Sequence, residues 1–158
     1  MSFDLSASAT WTYDELAAIA AQLVDGEPDR IANAANLSAL VYQALPEVNW
    51  VGFYFFDGTE LVVGPFQGKP ACVRIPLDRG VCGAAARTRT TQRIADVHAV
   101  ADHIACDGAS RSELVIPLVS DDQLVGVFDL DSPVPDRFTT EDQCGLEAIA
   151  RVFLASVY

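Results

Sequence analysis

Residues 49–68, NWVGFYFFDGTELVVGPFQG, place two runs of aromatic and β-branched residues on either side of Asp57-Gly58. An Asp-Gly pair in this position is a strong hairpin signal, because both residues tolerate the positive φ angles of a tight turn. A second hairpin is predicted over residues 113–132, where ELVIPLV and LVGVFDLDS flank a turn at SDDQ. The centre of the chain is therefore predicted to form an antiparallel sheet.

Helical patterns precede and follow these hairpins. Thr12 and Glu15 form a capping box at the start of a first helix, and a second helix is predicted over residues 29–45. A closing helix is predicted over residues 138–158, capped by Thr139 or Thr140. Shorter elements are predicted between the hairpins: strands in CVRIPL and QRIADV, and a helix in RGVCGAAARTRT. This order predicts an α+β domain whose terminal helices cover one sheet face, leaving the other face for a site under the loop at 96–112.

The composition restricts the class of protein. A length of 158 residues predicts one domain over residues 1–158. A net charge of −12, with Lys69 as the single lysine, argues against a nucleic-acid partner, because such a surface repels phosphate. No apolar run is long enough for a membrane span and the N-terminus does not resemble a secretory signal, so a cytoplasmic protein without a membrane partner is expected.

Three carboxyl groups are candidates for a binding site. Asp129 and Asp131 point to the same face of their strand, and Val127 and Val125 are expected to extend that face. Alternatively, both aspartates lie beyond the strand end in solvent. Glu113 joins them if it pairs with Asp129, whereas a simple two-residue turn would pair it with Leu130, on the opposite face. Converging carboxylates suit an ammonium group; no metal is expected, because no histidine lies at a ligand-like spacing.

The chain has cysteines at positions 72, 82, 106 and 144, none of them in a C-x-x-C pair. Cys106 lies in a polar loop, HIACDGASRSELV, with His103 just before it, and is not an obvious core residue. Cys82 follows a predicted helix start, where the helix dipole favours a thiolate. Cys144 lies near Leu146 and Ile149 in the last helix and is expected to be a small buried hydrophobe. Thiols of a cytosolic protein stay reduced unless they are catalytic or redox-sensing.

Four segments in order, GPFQGKPACVRIP, GVCGAAA, DVHAVADHIACDGASRSELVIPL and VFDLDSP, resemble the free methionine-(R)-sulfoxide reductases, which are stand-alone GAF-domain enzymes. The resemblance implies a GAF-like fold with a central six-stranded antiparallel sheet flanked by N- and C-terminal helices. It also implies reduction of free L-methionine (R)-sulfoxide through a sulfenic acid and an intramolecular disulfide, with a thioredoxin-type reductant and no cofactor. A homodimer is left open. The family's phenylalanine-proline-glycine pattern is replaced here by AVAD at residues 99–102.

The resemblance also assigns roles to residues. It implies that Cys106 is the nucleophile, Cys72 the resolving thiol and Cys82 a third thiol that assists the disulfide relay. It implies that Trp50 and the three carboxyl groups bind the substrate. We expect Asp129 or Asp131 to serve the sulfoxide oxygen and Glu113 the substrate ammonium. The alternative is a GAF module that binds a small molecule or senses redox state without turnover.

Overall fold

The computed structural model describes residues 10–101 and 107–158. Four α-helices are present: α1 (Tyr13–Leu23), α2 (Arg30–Ala44), α3 (Gly80–Thr88) and α4 (Thr140–Val157). The strands are β1 (Trp50–Phe56), β2 (Glu60–Gly68), β3 (Arg74–Pro76), β4 (Gln92–Ile94), β5 (Ser112–Ser120) and β6 (Gln123–Ser132), with a 3-10 turn at Val97–Ala99. The strands form one antiparallel sheet in the order β3-β2-β1-β6-β5-β4. The predicted α+β class and six-stranded antiparallel sheet are confirmed.

Side-chain caps begin three of the helices. Thr12 and Glu15 form the predicted capping box of α1. Asp29 caps α2 by accepting hydrogen bonds from the backbone N–H groups of Ile31 and Ala32, both at 2.9 Å. Thr139, rather than Thr140, caps α4. These contacts satisfy amide groups that have no partner within the helix, so the short local patterns are sufficient to set the helix starts.

The helical face of the sheet carries the larger hydrophobic core. Helices α1, α2 and α4 pack against it, and Phe53 contacts Phe128 and Phe153 with ring centroids 4.7 and 4.6 Å apart. The opposite face carries a smaller core in which Tyr54, Val115 and Val127 pack against α3. Across the described residues, no helix combines the length and apolar character needed to cross a membrane.

The register of β5 and β6 differs from both alternatives considered from the sequence. Asp121 and Asp122 have φ angles of 48° and 61°, as a two-residue turn of type I′ requires. However, the ladder shifts by one residue, because Val119 pairs with Leu124 whereas Leu118 pairs with Gly126. Val125 is therefore the extra residue of a β-bulge.

The bulge determines which side chains share a face. Glu113 lies opposite Asp131, not opposite Asp129 or Leu130, and so faces the same side as both aspartates. The expectation that Val125 extends the carboxylate face is wrong. Val125 belongs to the core on the helical side, since the bulge changes the alternation at that point.

The expectation that Cys144 is buried is also wrong. Cys144 is exposed, whereas Leu146 and Ile149 have no exposed surface. Cys144 and Leu146 are two positions apart and so point to nearly opposite sides of α4. The apolar neighbours that suggested burial face the sheet, and the cysteine faces away from it.

Candidate active site

A pocket lies on the α3 side of the sheet, at one end of three neighbouring strands. Trp50 begins β1 and pairs with Asp131 of β6, which in turn pairs with Glu113 of β5. The three side chains therefore form a row across the sheet, and Asp129 lies in the next row on the same face. Together with Cys82 of α3 they line a pocket of about 520 Å³, its open mouth included.

Trp50 forms an aromatic wall of this pocket and is only 3% exposed. Its indole ring stacks on Phe66 at a centroid distance of 5.2 Å, and its Nε1 donates a hydrogen bond to the Lys69 carbonyl at 3.2 Å. A glycine at position 52 leaves the space that the Trp50 indole ring occupies. A Cβ atom on residue 52 would lie 2.7 Å from the indole and would overlap Phe66. Trp50 therefore lines the pocket, and its role in substrate binding stays a prediction.

The buried end of the pocket brings together Cys82 and two carboxyl groups. Cys82 Sγ lies 3.4 Å from Asp129 Oδ2 and 3.9 Å from Glu113 Oε1. Glu113 and Asp129 are also hydrogen-bonded to each other, and each is only 5% exposed. One donor atom from each of the three residues falls within 4.8 Å of the others, which is close enough for a metal ion to bridge them. This cluster consists of one thiol and two carboxyl groups and includes no histidine.

Burial raises the pKa of all three carboxyl groups. Loss of hydration has the largest effect on each, and the charge of Asp129 further raises the pKa values of Glu113 and Asp131, which lie well above the usual range. Hydrogen bonds from Cys82, Glu113 and the Leu130 backbone lower the pKa of Asp129 and so partly offset the effect of burial. The resulting pKa is about 7. The ionised form of Asp129 is thus stabilised by hydrogen bonds within the pocket.

These raised pKa values predict that stability depends on pH. A carboxyl group whose pKa is higher in the folded state binds more protons there, so its stabilising effect is lost as the pH rises through the folded-state value. We expect the free energy of unfolding to fall from about pH 4, the usual aspartate value, to about pH 7 and beyond. Urea denaturation at several pH values measures this fall, which is on the order of a few kcal/mol at ~1.4 kcal/mol per unit of pKa.

Two substitutions distinguish the effect of the pocket carboxyl groups on the pH dependence of stability from the effect of the general surface charge. Asp131→Asn removes a half-buried carboxyl group whose pKa is raised and should reduce the fall in stability with pH. Asp78→Asn removes one charge from an exposed position and should leave the fall unchanged. Equal pH profiles for wild-type protein and Asp131→Asn would show that this carboxyl group does not titrate abnormally.

Cys82 does not have the thiolate-favouring environment expected from its place at a helix start. Burial has the largest effect on its pKa and raises it well above the usual value, and the nearby charges of Asp129, Glu113 and Asp131 raise it further. The N-terminal dipole of α3 is weak compared with these effects, because α3 has only nine residues and three carboxyl groups lie close. Cys82 is thus a protonated thiol that donates to Asp129 in the resting site.

The position of Cys72 is described in part. It is half-buried, follows Ala71 of the pocket wall, and is disulfide-bonded, whereas Cys82 and Cys144 are free. The phenolic hydroxyl of Tyr54 donates a hydrogen bond to the Cys72 carbonyl at 3.2 Å. Cys106, the expected nucleophile, and His103 lie outside the described residues.

The sequence analysis did not identify three polar residues of the pocket: Tyr54, Asp107 and Ser110. Strand alternation could have identified Tyr54, because positions 50, 52 and 54 of β1 share a face. Asp107 and Ser110 follow Cys106 in a loop without periodicity, so no pattern placed them. Asp107 lies at the mouth of the pocket, where its carboxylate is 3.8 Å from Lys69 Nζ.

Known proteins of the same fold and sequence pattern identify the family. The GAF domain family matches residues 29–156. The free methionine-R-sulfoxide reductase of Escherichia coli K12 is 54% identical over 127 residues, which cover 80% of this chain and 77% of that protein. The crystallised free methionine-R-sulfoxide reductase of Neisseria meningitidis, in complex with its substrate, is 41% identical with a TM-score of 0.89, covering 99% of this chain and 93% of that one.

A third relative carries a different name. A Burkholderia vietnamiensis protein described as a GAF sensor is 64% identical, with a TM-score of 0.89 and coverage of 92% of both chains. The sensor name does not alter the assignment at family level, because the E. coli and N. meningitidis reductases each match most of the chain. On these similarities, the chain belongs to the free methionine-R-sulfoxide reductase family of GAF-domain oxidoreductases.

Proposed function

We propose that the protein reduces free L-methionine (R)-sulfoxide to methionine. The observation that carries this proposal is the convergence of Trp50, Glu113, Asp129 and Asp131 on one pocket beside the Cys72 segment. A methionine sulfoxide substrate has an ammonium group, which a buried carboxylate can bind. It also has an S-methyl end, which an aromatic ring can contact. The pocket contains both partners, and the substrates of the named reductases have both groups.

The thiol chemistry follows two steps. The Cys106 thiolate attacks the protonated sulfoxide and takes over its oxygen: the S–O bond of the substrate breaks, an S–O bond forms on the Cys106 sulfur, one proton is taken up, and the products are methionine and a sulfenic acid on Cys106. The Cys72 thiol then attacks the sulfenic acid, forming a disulfide and releasing water. An external dithiol of the thioredoxin type restores both thiols by exchange. A cytoplasmic location, where such reductants act, accompanies this proposal.

Two roles remain for the carboxyl groups of the pocket: one binds the ammonium group of the substrate, and another interacts with the sulfoxide oxygen. Asp129 accepts hydrogen bonds from Cys82 and Glu113, which partly offset the rise of its pKa on burial, so we assign it the ammonium of the substrate. Burial and the charge of Asp129 raise the pKa of Glu113 well above its usual value, so we assign it the developing charge on the sulfoxide oxygen. This division reverses the one expected from the sequence, because the register of β5 places Glu113 beside Cys82 and Asp129.

One assay tests the proposed function. Purified protein supplied with free methionine (R)-sulfoxide, thioredoxin, its reductase and NADPH should form methionine and consume NADPH in equal amounts. The (S)-sulfoxide and a peptide containing methionine sulfoxide serve as controls and should react far more slowly. A protein that binds the (R)-sulfoxide but forms no methionine would instead be a sensor, the function suggested by the name of the B. vietnamiensis relative.

The proposed resolving step predicts a specific disulfide. Reduced protein mixed with substrate, without a reductant, should accumulate a bond between Cys72 and Cys106, with a minor fraction that includes Cys82. Peptide mapping after alkylation of the free thiols identifies the pair. If Cys106 is found mainly joined to the exposed Cys144, the assignment of Cys72 as resolving thiol is wrong.

A further inference from the structure

The cluster of Cys82, Glu113 and Asp129 has a spacing that the reduction of a sulfoxide does not require. The Cys82 sulfur lies 3.4 Å from Asp129 Oδ2 and 3.9 Å from Glu113 Oε1, and one donor atom from each residue falls within 4.8 Å of the others. These donors come from three separate elements, α3, β5 and β6. Their approach is therefore set by the packing of α3 on the sheet.

The same spacing fits the coordination of a tetrahedral zinc ion. With Zn–S near ~2.3 Å and Zn–O near ~2.0 Å, a sulfur and an oxygen ligand on one tetrahedral ion are about 3.5 Å apart. The two sulfur–oxygen distances in the cluster lie close to this value. A zinc ion could thus bind without large movement of α3 or of the strands.

A second observation points to a ligand at this position. Asp129 is 5% exposed and lines the pocket, and its Oδ1 atom has no hydrogen-bond partner within residues 10–101 and 107–158. A buried carboxylate oxygen without a partner loses its hydration without replacement, which is costly. A cation that enters through the pocket and binds at Oδ2 brings a coordinated water, which can donate a hydrogen bond to Oδ1 and compensate for that loss.

We propose that Cys82, Glu113 and Asp129 form a binding site for a thiophilic divalent cation of the Zn²⁺ class, and that this cation and the substrate ammonium exclude each other. The second part rests on the proposed function. Binding forms one metal–sulfur and two metal–oxygen bonds and releases the Cys82 and Glu113 protons to solvent, while a water completes the coordination. The thiolate favours Zn²⁺ over Mg²⁺ and Ca²⁺, which prefer ligand sets made of oxygen alone.

Cobalt(II) tests the site directly, because a cobalt–thiolate bond gives a charge-transfer absorption band in the near ultraviolet. The protein is used in the form that the structure records, oxidised with Cys72 in its disulfide and Cys82 free, so that turnover cannot occur. We expect titration with Co²⁺ to produce the band at one equivalent, and Zn²⁺ to abolish it by displacement. Cys82→Ser should lose the band and bind Co²⁺ at least tenfold more weakly, whereas Cys144→Ser should behave as wild type.

Two further variants keep the site testable if Cys82→Ser fails to fold. Glu113→Gln and Asp129→Asn keep the thiol and should each weaken Co²⁺ binding at least tenfold while circular dichroism stays unchanged. A band that persists in Cys82→Ser, or that disappears in Cys144→Ser, overturns the proposed site. The absence of any band in the folded wild-type protein does the same.

Competition in the same oxidised protein tests the second part without reference to activity. Methionine sulfoxide should raise the Co²⁺ concentration needed for half-saturation, and glycine at equal concentration corrects for chelation by the amino-acid head group. If the Cys82-dependent band appears but methionine sulfoxide acts no differently from glycine, mutual exclusion is rejected. The turnover assay remains a separate test of the reductase function.

Discussion

Cys106→Ser is expected to form no methionine from methionine sulfoxide, even when the protein is present in excess over the substrate. Serine has the same size, but its hydroxyl group stays protonated near neutral pH and cannot form a sulfenic acid. The measurement is methionine released per protein in a single turnover, without any reductant. Wild-type-like release by Cys106→Ser would reject the proposed nucleophile.

Two other cysteine variants give this result its control. Cys72→Ser should release the same single equivalent of methionine as the wild type, because the first step remains intact, but with the thioredoxin system it should turn over far more slowly, because the resolving step is lost. Cys144→Ser should release the wild-type amount, since this thiol is exposed on the side of α4 that faces away from the sheet. The three variants therefore separate the attacking thiol, the resolving thiol and a thiol that takes no part in the reaction.

Asp129→Asn is expected to raise KM for methionine sulfoxide about 10- to 100-fold, with a smaller change in kcat. This range follows from the loss of one charge-assisted hydrogen bond to a buried ammonium, worth roughly 1.5–3 kcal/mol. Steady-state kinetics with the thioredoxin system measures both constants. Glu113→Gln, in contrast, should lower kcat more than it changes KM, because its proton is needed mainly in the transition state.

The pH dependence provides a second test of the same assignment. Binding of the ammonium requires ionised Asp129, so kcat/KM of the wild-type enzyme should rise as the pH increases through about 7. Asp129→Asn should lose this rise in kcat/KM and keep only the rise that ionisation of the attacking thiol causes. If the folded Asp129→Asn, Glu113→Gln and Asp131→Asn variants all retain wild-type kcat and KM, the substrate does not bind at these carboxyl groups.

The elements of this fold could be predicted from the sequence because their signals are local. The capping box of Thr12 and Glu15 lies within one helical turn. In the turn of the first hairpin, the Asp57 side chain accepts hydrogen bonds from the backbone N–H groups two and three residues later. The common face of Asp129 and Asp131 follows from strand alternation alone. None of these inferences requires knowledge of what the element packs against.

The register between β5 and β6 could not be predicted in the same way. The bulge at Val125 is stabilised by a contact with another strand, because Gly126 approaches the Tyr54 carbonyl so closely that any Cβ atom would overlap it. The environment of Cys82 is equally non-local, since its neighbours Glu113 and Asp129 are 31 and 47 positions away. For Cys144, the sequence shows apolar neighbours but does not show which side of α4 meets the sheet.

The two faces of the sheet are free to diverge at different rates during evolution. The helical face holds the larger core, in which Phe53 contacts both Phe128 and Phe153, so most substitutions there affect folding. The other face is covered mainly by the nine-residue α3, and its polar side chains contribute to a ligand site more than to packing. In a protein descended from this chain, the pocket carboxylates and cysteines could therefore be replaced by residues that bind another ligand, while the fold stays the same.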